Sequence, residues 1–301
     1  MARQGFQTAT FGDHALARRL EGDEDRWSIE WAKTYARLYP DSGTATEAIG
    51  SGHAVFAGVG SFMSQAKGLG MDGPLSPEDL DRLDDFYRSR GCPAKVVVCP
   101  LADPSLLEIG RRGYRVLEFE NVLARSLTGG ERLCDESPMS FIGEGVVIRA
   151  ASQGEEELWA RTSARGFFGD GDAVEAFLPI FRSMAYLPGA SLYLAWIGGE
   201  PVGAAGLGVR DGLGGIFGAS TLPSYRRRGV HGALIGARLA AAREAGCDLA
   251  WVGAKPASDS QRNLERFRFR TVYTKANLIR EWESRGGSTM PEPSSALEPG
   301  G

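Results

Sequence analysis

The pattern of apolar and polar positions predicts helices and short strands along most of the chain. From about Asp13 to Leu38 it has helical spacing, and Trp27, Trp31 and Tyr35 recur every four residues, so their rings share one helical face. Such a face either packs into the core or walls a cleft. A turn at Pro40–Gly43 follows, and the apolar, glycine-rich stretch Ala54–Met71 predicts two or more short strands. Ser76-Pro77-Glu78-Asp79 then opens a helix with a serine cap, a proline in the first turn and acids at the positive end of the dipole. Leu80, Leu83 and Tyr87 form its buried stripe, and Gly91 stops it.

Further along, Val146–Ala150 reads as a strand, Glu155–Arg165 and Ala173–Ala185 as helices, and Leu192–Ile197 with Val202–Val209 as a hairpin around Gly198-Gly199. The strand Gly214–Thr221 leads into a basic loop and a long alanine-rich helix from Val230 to Gly246. A strand Leu249–Ala254, a helix Ser258–Phe267 and a closing strand Thr271–Trp282 complete the order.

Two blocks repeat at an offset of 155 residues. Arg88–Val98 parallels Arg243–Gly253, with Gly91-Cys92 falling on Gly246-Cys247, and Gly113–Arg125 parallels Arg268–Arg280. Each half reads helix, glycine stop, strand, short helix, closing strand. A period this long implies two copies of one domain, since solenoid repeats run to roughly 20–50 residues.

Composition narrows the class. A chain of 301 residues, 43% apolar and with a formal charge of −4, folds with an ample core and has no bulk attraction to nucleic acid or to an anionic membrane surface. No apolar run reaches spanning length and no secretory leader is evident, so a cytoplasmic protein is expected. Cys92, Cys99, Cys134 and Cys247 are too scattered for a metal site or a disulfide framework, and His14, His53 and His231 lie far apart, so no metal is expected. Around Ser220 the final glycine of a hydrolase nucleophile elbow is missing.

The candidate chemistry lies between Ala219 and Ala233. Arg226, Arg227 and Arg228 precede Gly229, and the helix opens near Val230. Three arginines before a helix also suit a solvated turn. A strand before and a helix after, however, make an anion site: first-turn N–H groups lack acceptors, and the helix dipole adds positive charge. A diphosphate fits. No Gly-Lys-Ser/Thr follows, as a triphosphate loop would need, and the dinucleotide glycine pattern is absent.

Pro223-Ser-Tyr-Arg226-Arg-Arg-Gly229-Val-His231-Gly232 resembles the signature loop of the GNAT superfamily of acyl-CoA-dependent acetyltransferases, Arg/Gln-x-x-Gly-x-Gly/Ala, with Arg226 and Gly229 matching and His231 replacing the last small residue. The resemblance spans roughly Val146–Trp282. It implies an α/β (α+β) fold, here two GNAT-like domains, each with a mixed, mostly antiparallel sheet flanked by helices. It also implies acetyl-CoA as donor: the loop Arg226, Arg227, Arg228, Gly229, Val230, His231 and Gly232 on the diphosphate, Ala219 facing the thioester carbonyl, Ser220 and Thr221 along the arm, and Ser260 and Asn263 on its other side. A tyrosine often found on the second helix is Leu264, and a glutamate often found on the strand before the loop is Gly215. No catalytic acid or base is therefore assigned: either the amine is deprotonated through water and the thiolate leaves unaided, or Tyr225, Tyr273 or carboxylates of the first half serve. Arg268 replaces a glycine at the helix-to-strand corner and would be strained if that corner needs a positive φ.

Subtracting the offset from the loop gives Met71-Asp72-Gly73-Pro74-Leu75-Ser76, with an aspartate where Arg227 stands and, for Gly229, a proline that lacks an N–H. The expected organisation is a degenerate GNAT-like domain at 1–127, a linker at 128–145, a GNAT acetyltransferase domain at 146–283 and a disordered tail at 284–301. The expected activity is transfer of an acetyl group to a small-molecule or peptide amine by direct attack, by a monomer or homodimer. The alternatives are a non-catalytic acyl-CoA-binding or regulatory module and, against the net charge, a nucleic-acid binder.

Overall fold

The computed structural model describes residues 12–128 and 145–282, so nearly all of the expected linker, the tail and Cys134 lie outside the described residues. The first half gives α1 (His14–Leu38), β1 (Ala45–Ile49), β2 (Gly52–Phe56), β3 (Ala66–Lys67), α2 (Pro77–Arg88), β4 (Ala94–Val98), a 3-10 segment Pro104–Arg112 and β5 (Arg115–Ser126). The second gives β6 (Val147–Ala150), α3 (Glu156–Phe168), α4 (Asp172–Ala185), β7 (Ala190–Ile197), β8 (Glu200–Arg210), β9 (Leu213–Thr221), α5 (Val230–Glu244), β10 (Leu249–Ala254), α6 (Asp259–Arg266) and β11 (Arg270–Arg280). The chain order matches the expected elements, with β1 as an addition. Its burial alternates only between half-buried and exposed until Ile49, so it carries little of the apolar signal that marks a strand.

The eleven strands of the described residues join one sheet, in the order β1-β2-β3-β4-β11-β5-β10-β9-β8-β7-β6. Among the described strands only β3 with β4 and β9 with β10 pair in parallel. The centre of the sheet is interleaved: β11 of the second half lies between β4 and β5 of the first, and β5 lies between β11 and β10 of the second. Each half thus completes its sheet with the other's closing strand, and neither is a separate slab.

Side-chain alternation along the strands assigns the faces. Val122 and Ala124 of β5 pack with Ala17 and Leu20 of α1, whereas Leu123 packs with Leu239 of α5 and Leu264 of α6. On β2, Val55 meets Trp31 of α1, while Ala54 meets Leu83 of α2. Helices α1, α3 and α4 therefore cover one face, and α2, α5 and α6 the other. No described helix is long and apolar enough to cross a membrane.

The repeat is visible in the backbone. Gly91 and Gly246 both take positive φ after α2 and α5, and the corner before the closing strand is Gly113 (φ 84°) in one half and Arg268 (φ 62°) in the other. That corner does require the left-handed region, so Arg268 carries the expected strain.

Candidate functional site

The site begins where two neighbouring strands part. β9 and β10 pair only at Leu213–Gly215 with Leu249–Trp251. Beyond that β9 stays with β8 as far as Thr221, and β10 stays with β5 as far as Ala254. A wedge-shaped gap opens through the sheet. At its edge β9 bulges: Phe217 pairs with Gly206 and Ser220 with Ala204, so Gly218 and Ala219 together oppose Ala205. Gly218 supplies the positive φ (59°) for the bulge. Helix α3 buttresses it, with Trp159 Nε1 donating to the Ala205 carbonyl (3.0 Å) and Ser163 Oγ to that of Gly218 (3.2 Å).

At the mouth of the gap, β9 runs through a short 3-10 turn into α5. The cap of α5 is Gly229 (φ 77°), and no side chain caps the helix, so its first-turn N–H groups have neither a side-chain nor an intrahelical acceptor. Arg227 also has positive φ (61°). Arg226 Nη2 donates to the Gly166 carbonyl (3.0 Å) and ties the loop to α3, while the Arg228 guanidinium lies over the Tyr225 ring (5.2 Å).

Behind the loop a cavity of about 370 Å³ passes through the gap. From the α5 and α6 side it is lined by His231, Arg238, Ser260 and Leu264, from the strands by Gly215–Ala219 and Trp251–Gly253, and from the first half by Glu24, Trp27, Trp31, Lys67 and Glu120. Trp27 and Trp31 thus belong to a cleft wall, and Tyr35 packs behind Trp31 (4.9 Å between ring centroids). Of the expected site residues, Ala219, His231 and Ser260 line the cavity. The Ser220 hydroxyl instead donates to the Ser163 carbonyl (3.0 Å), and Thr221 is buried with its hydroxyl unpartnered. The Asn263 amide meets His231 Nδ1 (3.1 Å). Burial, with Arg238 as a second cause, pushes that imidazole down to about 4, so it is neutral at physiological pH.

On the α1 face, Lys275 of β11 is buried among Glu21 (3.6 Å), Glu24 and Glu120 (3.7 Å), and Glu24 also takes Lys67 (2.6 Å). Burial alone would raise the Glu24 carboxyl, but Lys275 and Lys67 overcome it and bring it to about 2. Glu120 lies against Gly253, where an added Cβ would sit 2.0 Å from its Oε1. Its carboxylate therefore borders the gap from the α1 face.

Residues 156–269 match the model of the Acetyltransferase (GNAT) family. Residues 156–269 form a GNAT domain. The whole chain is similar in fold to a GCN5-related N-acetyltransferase from Kribbella flavida, 20% identical, covering 87% of this chain and 96% of that one with a TM-score of 0.57. It is likewise similar to a tandem GNAT protein from the clavulanic acid biosynthesis pathway, 11% identical, covering 89% and 98% of the two chains with a TM-score of 0.53. No curated protein matches the chain.

Around the GNAT domain, the position matching its loop in the first half is closed. Ser76 Oγ accepts from Asp79 N (3.1 Å), the Asp79 carboxylate accepts from Ser76 N (3.1 Å), and Pro77 stands in the first turn. The chain's own side chains occupy the donors that an anion would need. Tyr225 bonds Glu200 at the surface and Tyr273 bonds buried Glu21 (2.8 Å); neither lines the cavity of the GNAT domain. What the sequence left unassigned, the α1-face wall with Glu24 and Glu120, depends on strand interleaving that no local pattern reveals.

Proposed function

We propose that the protein transfers an acyl group, acetyl in the family pattern, from coenzyme A to an amine, with the first half as a degenerate GNAT-like copy that walls the acceptor side. The observation that carries this reading is the uncapped start of α5 opening directly onto the gap between β9 and β10. The donor supplies an activated thioester. The amides of Gly229, Val230, His231 and Gly232 hold its diphosphate, Arg227 and Arg228 add charge there, and Arg226 fixes the loop on Gly166. Ser260 lines the arm, Asn263 orients His231, the Ala219 backbone meets the thioester carbonyl, and Ser220 and Thr221 hold the end of β9 in place beside it.

The amine enters from the α1 face between Trp27 and Glu120. The incoming ammonium gives one proton to Glu120, the freed amine nitrogen forms the amide bond as the carbon–sulfur bond breaks, and its second proton passes to the departing thiolate, which leaves as the thiol. Glu24 is held ionised by two lysines and serves as a fixed charge beside the incoming ammonium.

The test is thiol release from acetyl-CoA across a panel of primary amines, with Glu120→Gln beside the wild type. Loss of a general base lowers kcat by about 10²-fold or more, with donor affinity unchanged; equal turnover would remove Glu120 from the mechanism. Tight CoA binding with no turnover for any amine would favour the non-catalytic acyl-CoA-binding module, a reading supported by Leu264, whose apolar side chain lines the cavity.

A further inference from the structure

Arg238 does not fit a site built only for an acetyl group. It is among the largest fully buried side chains, 1% exposed, and lines the cavity from α5. Its Nε donates to Leu234 O (3.0 Å), a helical carbonyl one turn back, and Nη1 lies at 3.4 Å from both Gly206 O and Phe217 O beside the bulge. Nη2 is buried with no partner, and among the described residues no carboxylate contacts the guanidinium. A buried cation without a counter-ion is costly, and neutral carbonyls at long range do not offset it. The fold does not demand it either: at the 155-residue offset the same place in α2 is Leu83, an ordinary core residue.

Position says what the cation meets. Arg238 is eight residues into α5, about 12 Å from its N-terminus at 1.5 Å per residue, on the face that carries His231. Its contact with Phe217 O sets it next to Gly218 and Ala219, where the thioester carbonyl is proposed to lie. It therefore stands at the acyl end of the donor, on the face opposite α1 and the acceptor wall.

Resting on the acyl-CoA reading, we infer that Arg238 is a specificity residue for the carboxylate of a short ω-carboxyacyl-CoA such as succinyl- or malonyl-CoA, with Nη2 donating to that carboxylate in the gap between β9 and β10. A carboxylate supplies both the missing charge and the missing acceptor; an acetyl methyl supplies neither. Acetyl-CoA is then a weaker donor of the same class.

The experiment is calorimetric titration of the wild type and Arg238→Met with free CoA, butyryl-CoA and succinyl-CoA, the last two matched in chain length. The wild type is expected to bind succinyl-CoA at least tenfold more tightly than butyryl-CoA. Arg238→Met is expected to reverse the order while binding free CoA as before. No preference in the wild type, or a preference that survives in Arg238→Met, overturns the assignment. A wild type that fails to bind even free CoA overturns the acyl-CoA reading itself, and the inference with it. If Arg238→Met leaves all three affinities unchanged but raises KM only for amines that carry a carboxylate, the anion belongs to the acceptor and the donor assignment is wrong.

Discussion

Lys275→Met removes the charge that joins the two halves at the centre of the sheet. Lys275 comes from β11, whereas Glu21 and Glu24 come from α1 and Glu120 from β5, so the cluster spans the interleaved strands. Methionine preserves the stem and leaves the carboxylates without their shared cation. Breaking a buried pair in this way costs about 3–5 kcal/mol. The Glu24 carboxyl gives a second measure: its drop from 4.5 to about 2 corresponds to about 3 kcal/mol, shared between Lys275 and Lys67. Glu21 limits the damage, because burial already raises its carboxyl against the opposing Lys275, and without the lysine it takes up a proton. The expected loss is therefore about 3 kcal/mol at pH 7.

The pH dependence has a definite sign. In the wild type the Glu24 contribution is complete above the unfolded value of 4.5 and is lost as pH falls towards about 2. In Lys275→Met the Glu21 carboxyl, raised by burial and no longer opposed by Lys275, titrates further above its unfolded value, so the variant gains stability as pH falls from neutrality towards that value. The difference between the two proteins should narrow between pH 7 and pH 5. Urea unfolding followed by tryptophan fluorescence at both pH values measures it. A loss below about 1 kcal/mol at pH 7, or a difference that widens on acidification, would refute the reasoning.

Two further substitutions test particular residues through urea midpoints at unchanged slope. Arg268→Gly relieves a side chain held at φ 62° where the first half has Gly113, and should stabilise by up to about 1 kcal/mol; a loss of stability would mean that the arginine's own contacts outweigh the strain. Arg238→Met replaces a buried, unpaired cation, whose guanidinium burial pushes down to about 9, and should stabilise the unliganded protein by roughly 1–3 kcal/mol. Destabilisation would instead make Arg238 a strut for the bulge carbonyls.

Much of the site was legible because its signals are local. The glycine that caps α5, the arginines before it, the serine that caps the start of α2 and the positive-φ corner at Arg268 each follow from neighbouring residues. The offset of 155 residues also identified equivalent elements. What it did not show is strand pairing: equivalent closing strands leave each pairing either with its own half or with the other, and the apolar pattern of β5 and β11 is the same in both cases. The cavity wall of Glu24, Lys67 and Glu120 follows from that exchange and stayed hidden with it. Arg238 was missed for another reason, since an arginine in a helix reads as solvated until its burial is seen.

The most direct test of the account is calorimetric titration of the protein with acetyl-CoA and with pantetheine, which lacks the diphosphate. The account predicts binding of acetyl-CoA that is lost with pantetheine and weakened roughly tenfold by Arg228→Ala, in line with about 1.4 kcal/mol for one charge-assisted contact. Equal affinity for the two ligands, or no binding of either, would contradict the assignment of the start of α5 as the diphosphate site.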